Sequence, residues 1–175
     1  TWTISTNANI TGASASTTAG ISTISQILTN SSNTPQTIVY TVTPTSGDTG
    51  NCVGSTFTIT VVVSPKPAIL ATTPTICSGT AFTVTPTNGS GNIVPSGTTY
   101  TWTTPVSNPL GAITGGTSQA TGLATISQTL TNTTTAPATL EYTVTPTSGV
   151  CAGTPFTITV TVNPTPTTLG LTNQT

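Results

Sequence analysis

Phe156-Thr-Ile-Thr-Val-Thr-Val162 sets an apolar side chain at every even position and threonine at every odd one. A period of two sends alternate side chains to opposite faces of an extended chain, so this segment reads as a strand with one face for a core and one for water. Leu140, Tyr142 and Val144 follow the same rule, as do Phe82 with Val84 and Tyr100 with Trp102. Threonine is β-branched and suits a solvated pleated face, which accounts for its abundance here. No stretch carries a 3.6-residue apolar stripe. The fold class that follows is all-β. Strands are expected near 69–75, 81–87, 98–104, 111–115, 122–131, 138–147 and 154–163, separated by turn-forming runs such as Thr87-Asn-Gly-Ser-Gly91. Seven short strands in about 100 residues fit a β-sandwich of the immunoglobulin type.

The chain also repeats itself. Ile24-Ser-Gln-Ile-Leu-Thr-Asn30 returns as Ile126-Ser-Gln-Thr-Leu-Thr-Asn132, Tyr40 through Gly47 returns unchanged as Tyr142 through Gly149, and Phe57 through Val61 returns as Phe156 through Val160. A period near 100 residues marks tandem structural units. Residues 67–165 make one complete unit, 1–66 match only its last two-thirds, and 166–175 would begin a third. The expectation is therefore a window from a longer tandem array. Its joints, Ser64-Pro-Lys-Pro67 and Asn163-Pro-Thr-Pro166, are short and stiffened by proline. A disordered Ser/Thr-rich stalk would share the composition but would not keep the alternation or the paired aromatics.

Composition excludes several activities. Only 2% of the 175 residues are charged, against about a quarter in an ordinary globular protein. The ionised side chains are Asp48, Lys66 and Glu141, with no His and no Arg. One Lys cannot neutralise a nucleic-acid backbone, and two carboxylates about ninety residues apart do not make a metal site. Serine and threonine abound, but no base is present to activate them. No catalytic residue, metal ligand or cofactor site is expected, and no apolar run approaches the ~20 residues that span a bilayer. An enzyme is not expected.

Four sets of residues stand out. Trp2, Tyr40, Trp102, Tyr142 and Phe156 are expected in the core, Trp102 on the third strand and Tyr142 at the start of the sixth. Gln128, and Gln26 in the partial unit, share the apolar face of a strand, and a buried amide must find partners or destabilise the fold. Either Gln128 bonds backbone across the sandwich or a bulge turns it outward; a structural role is favoured over a binding one. Cys52 and Cys151 are equivalent by repeat register, so a whole unit carries Cys77 and Cys151, and Cys52 is left unpaired by truncation. Two cysteines per unit suggest a Cys77–Cys151 disulfide and an oxidising compartment. Against the bond, the first turn and last hairpin of an immunoglobulin topology lie at opposite ends, and bonded Cα atoms must lie within about 7 Å; the alternative is two free thiols. Sequons at Asn9, Asn30, Asn88, Asn132 and Asn173 are about as many as this composition yields by chance.

Taken in order, Ile-Cys-Ser-Gly-Thr (76–80), Tyr-Thr-Trp-Thr (100–103), Ile-Ser-Gln-Thr-Leu-Thr-Asn (126–132), Tyr-Thr-Val-Thr-Pro-Thr-Ser (142–148), Cys-x-Gly (151–153) and Val-Asn-Pro-Thr-Pro (162–166) resemble the PKD-like tandem domains of Bacteroidota surface proteins. The resemblance implies an immunoglobulin-like sandwich in an extracellular, cell-surface setting, as in the gliding-motility adhesins exported by the type IX secretion system. It carries over no catalytic or ligand-binding residue. The function expected is a structural and adhesive segment of a long surface adhesin. Its partners would be neighbouring repeats of the same chain, with surface polysaccharide, abiotic surfaces or other cells as what it attaches to. A filament or surface-layer subunit and a carbohydrate-binding module are the alternatives; the last would need solvent-facing aromatics.

Overall fold

A computed structural model describes residues 1–47 and 50–166. Asp48, the Asn173 sequon and nearly all of the segment expected to begin a third unit lie outside them. The described residues form strands and no helix, and the chain divides into two compact units, Thr1–Lys66 and Pro67–Thr175.

Unit 1 contains β1 (Trp2–Ile4), β2 (Ile10–Thr11), β3 (Thr29–Asn30), β4 (Gln36–Val42) and β5 (Phe57–Val63). β1, β4 and β5 form an antiparallel sheet in that order, with Trp2 opposite Val42 and Val42 opposite Phe57. β2 and β3 form a separate two-stranded ribbon. Trp2, Ile10, Ile38 and Tyr40 are buried together, with Ile24, Leu28, Val42 and Val61 packed around them.

Unit 2 begins with β6 (Thr75–Cys77), β7 (Thr80–Val84), β8 (Thr99–Trp102), β9 (Val106–Asn108) and β10 (Ile113–Thr114). It continues with β11 (Gln119–Leu123), β12 (Ile126–Asn132), β13 (Ala138–Ser148), β14 (Cys151–Ala152) and β15 (Phe156–Asn163). One sheet runs β10-β12-β7; the other runs β11-β8-β13-β15-β6, with β9 and β14 also pairing β13. The two sheets do not close on each other. Phe82, Ile113, Ile126 and Leu130 from the smaller sheet meet Trp102, Leu140, Tyr142, Val144, Ile158 and Val160 from the larger one in a single buried cluster. β15 alternates buried and half-buried residues along its whole length, as its apolar–threonine period dictates. Burying each of these Val, Ile, Leu and Phe side chains stabilises by roughly 1.5–3 kcal/mol.

Three details differ from the strand expectations. The segment 122–131 is two strands: β11 pairs β8 in one sheet and β12 pairs β7 in the other, so the chain changes sheets at Ala124-Thr125. The first strand is confined to Thr75–Cys77, running parallel to β15; before it, Ala68 and Thr72 make only isolated bridges. β9, at Val106–Asn108, arises because Ser107 reaches the flank of Leu140 on β13.

The expected Cys77–Cys151 disulfide is not formed; Cys52, Cys77 and Cys151 are all free thiols. Cys77 lies beside Asn163, at the last residue of β15, whereas Cys151 pairs Ser148 in the hairpin that precedes Phe156. The length of β15, seven steps of ~3.3 Å or about 23 Å, therefore separates them. Only the parallel pairing of β6 with β15 decides this, and that pairing fixes Cys77 at the far pole.

Candidate functional site

The side chains with the densest polar contacts make the same knot in both units. In unit 2, Gln128 Oε1 accepts from the Thr117 amide at 3.0 Å and from the Tyr142 hydroxyl at 2.8 Å. Its Nε2 donates to the Thr117 carbonyl at 2.9 Å and to Thr117 Oγ1 at 2.8 Å. Trp102 Nε1 donates to that same carbonyl at 2.8 Å. In unit 1, Gln26 bonds Ser14 through amide, carbonyl and hydroxyl, takes the Tyr40 hydroxyl at 2.7 Å, and Trp2 Nε1 donates to the Ser14 carbonyl at 2.9 Å. The amide on the apolar face thus bonds backbone and locks the two aromatic tips. No bulge turns it outward.

Around this knot the rings are packed edge to face. Trp102 and Tyr142 have centroids 6.3 Å apart at 76°, Tyr100 and Phe156 6.3 Å apart at 81°, and Phe82 lies 5.2 Å from Tyr142. Burial pushes the Tyr142 phenol far above its ordinary 10.0, and raises Tyr100 in the same direction. Trp2, Tyr40, Trp102, Tyr142 and Phe156 are all buried. Their rings belong to the cores of the two units, and Trp2 also lines a groove at the surface of unit 1.

A second recurrent device was weighed in the sequence only as a sequon. Asn132 Nδ2 donates to the Ala136 and Val162 carbonyls, both at 2.8 Å, while its Oδ1 accepts from the Thr134 amide and hydroxyl. Asn30 does the same with Thr34, Val63 and Ser32. Each ties the end of one sheet to the last strand of the other. The available signal was the Leu-Thr-Asn-x-(Ser/Thr) recurrence at 28–32 and 130–134.

Elsewhere the surface offers little chemistry. Among the described residues no three His, Cys, Asp or Glu side chains come together, and no helix is long and apolar enough to cross a membrane. Lys66 and Glu141 are exposed. One apolar concavity stands out, a groove of about 520 Å³ in unit 1 lined by Trp2, Ile24, Val42, Phe57 and Ile59, with Pro44, Thr45 and the 19–23 loop at its rim. Phe57 is 50% exposed and Ile59 39% exposed there, while their counterparts Phe156 and Ile158 are 5% and 0% exposed.

Comparison with curated proteins and with solved structures returns no match. A family model described as a PKD-like domain matches twice, over residues 1–67 and 74–166, once on each compact unit. With nearly every residue of both units under that model, the chain belongs to the PKD-like domain family.

Proposed function

We propose that this chain is a non-catalytic, extracellular segment of a long bacterial surface adhesin, in which PKD-like units follow one another to give reach and surface attachment. The observation that carries the reading is the commitment of the same Trp, Gln, Tyr and Asn side chains of each unit to its own interior. The same Trp–Gln–Tyr knot and the same buried Asn recur in both units, which is what a part made for repetition requires. The surface left over is neutral and rich in threonine, suited to many weak contacts with surface polysaccharide, an abiotic surface or another cell. Export by the type IX system and a part in gliding fit the resemblance of the motifs.

A filament or surface-layer subunit is the second reading, favoured by β5, an edge strand that leaves Phe57 and Ile59 half exposed. A carbohydrate-binding module has less in its favour, because Phe57 is the one aromatic exposed among the described residues. Electron cryo-microscopy of the native parent separates the first two. A single thread advancing about 40 Å per unit, the length of a ten-residue strand with its turns, supports the stalk. A regular fibre several chains thick puts the filament first.

A further inference from the structure

Unit 2 shows what belongs in the groove of unit 1. Phe156 and Ile158 are sealed there by residues 67–100: Thr72 bridges Ile158, β6 lines the outer edge of β15, and Tyr100 meets Phe156 edge to face. β7 gives β12 its partner strand and places Phe82 against Tyr142. Unit 1 keeps the receiving side of each contact. β5 is an edge strand, and the outward amides of Thr60 and Val62 match those of Thr159 and Thr161, which donate to the Thr72 and Pro74 carbonyls.

Two further features of unit 1 point the same way. A Cβ on Gly153 would strike the Pro67 carbonyl; one on its counterpart Gly54 would meet nothing nearer than the Pro44 ring, at 3.1 Å. Gly54 thus keeps the proline ring that also approaches Gly153 and lacks the backbone carbonyl that closes over it in unit 2. The ladder of β8 against β13 continues past Trp102 to Tyr100 opposite Pro146 and Thr99 opposite Thr147, whereas in unit 1 the counterparts Pro44 and Thr45 lie at the rim of the groove.

We propose that the groove of unit 1 is a receptor for a strand pair with the chemistry of residues 67–100, an uncharged, apolar-alternating segment that enters as a continuation of β1, runs beside β5 and covers Phe57 and Ile59. A second copy of the chain is the weaker occupant, because its own residues 67–100 are already held between β12 and β15. The inference rests on the internal comparison of the two units and stands apart from the cell-surface reading.

The test joins an added copy of residues 67–100 to Thr1 of the full chain and follows amide hydrogen exchange. The exchange of Thr60 and Val62 is expected to slow by about 100-fold or more, as for amides drawn from a frayed edge into a cooperative sheet, while β15 stays protected as an internal control. Phe82→Asp in the added copy alone is expected to abolish that gain while leaving unit 1 and unit 2 as they are in the unextended chain. The proposal is overturned if Thr60 and Val62 exchange equally fast with and without the added residues, or if a scrambled 34-residue extension protects them equally. It is also overturned if the unextended chain gains the same protection simply on concentration, which would make a second copy the occupant.

Discussion

Single amides hold the aromatic core of each unit in place. Gln128 satisfies both the Tyr142 hydroxyl and the whole polar complement of Thr117, so Gln128→Leu leaves the part-buried Tyr142 hydroxyl without its partner and hands the exposed Thr117 groups back to water. The expected loss is about 1–3 kcal/mol, the cost of one buried polar group left unsatisfied; urea unfolding measures it. Asn132→Asp removes both donors to Ala136 and Val162 and sets a carboxylate against their carbonyls. A loss of about 2–3 kcal/mol is expected in the same experiment. Tyr142 adds a pH dependence of known sign. Burial raises its folded value above 10.0, so the folded state holds the proton more tightly than the unfolded one. The contribution is complete below pH 10 and is lost as pH climbs above it. Stability is therefore expected to fall on the alkaline side, and this limb should shrink in Tyr142→Phe, as followed by unfolding midpoints between pH 8 and 11.

At the scale of the element, the same sequence takes two fates. Ile126-Ser-Gln-Thr-Leu-Thr-Asn132 is a seven-residue strand because β7 pairs its first five residues. Ile24-Ser-Gln-Ile-Leu-Thr-Asn30 is strand only at Thr29–Asn30, where β2 supplies a partner. Hydrogen exchange across 24–28 is expected to be much faster than across 126–130, a difference that propensity cannot produce and pairing can. The alternation of β15, β13 and β7 was legible from residue to residue; at Gln128 the sequence showed that the amide must be partnered or turned outward, and the fold decided for the partner. The split of 122–131 was not, because the Leu123 and Ile126 phases differ by a change of sheet that no local period encodes. β9 was missed for a related reason: three residues carry too little pattern to be told from a loop.

Across the whole molecule, the two units differ in how much of a sandwich they possess. Among the described residues, unit 2 buries fifteen apolar residues in one cluster and unit 1 only four, so the two are expected to unfold at different denaturant concentrations. Trp2 and Trp102 each report on one unit, and with Trp102→Phe the remaining fluorescence should show a transition at lower urea than the β15 amides do. A single coincident transition for both probes would show instead that the units unfold together.

Sequence alone determined the class, the faces and the rhythm: all-β, threonine outward, aromatics inward, a repeat near 100 residues, and a composition with almost no chemistry to offer. Those properties are local or compositional, since a period of two decides which side of a strand faces the core whatever the strand pairs with. Tertiary structure decided which edges meet. Backbone hydrogen bonds are the same for any partner, so nothing in the residues themselves announces that β6 lies parallel to β15. That one pairing separates Cys77 from Cys151 by the length of a strand, and the lack of its counterpart in unit 1 leaves Phe57 and Ile59 facing an open groove.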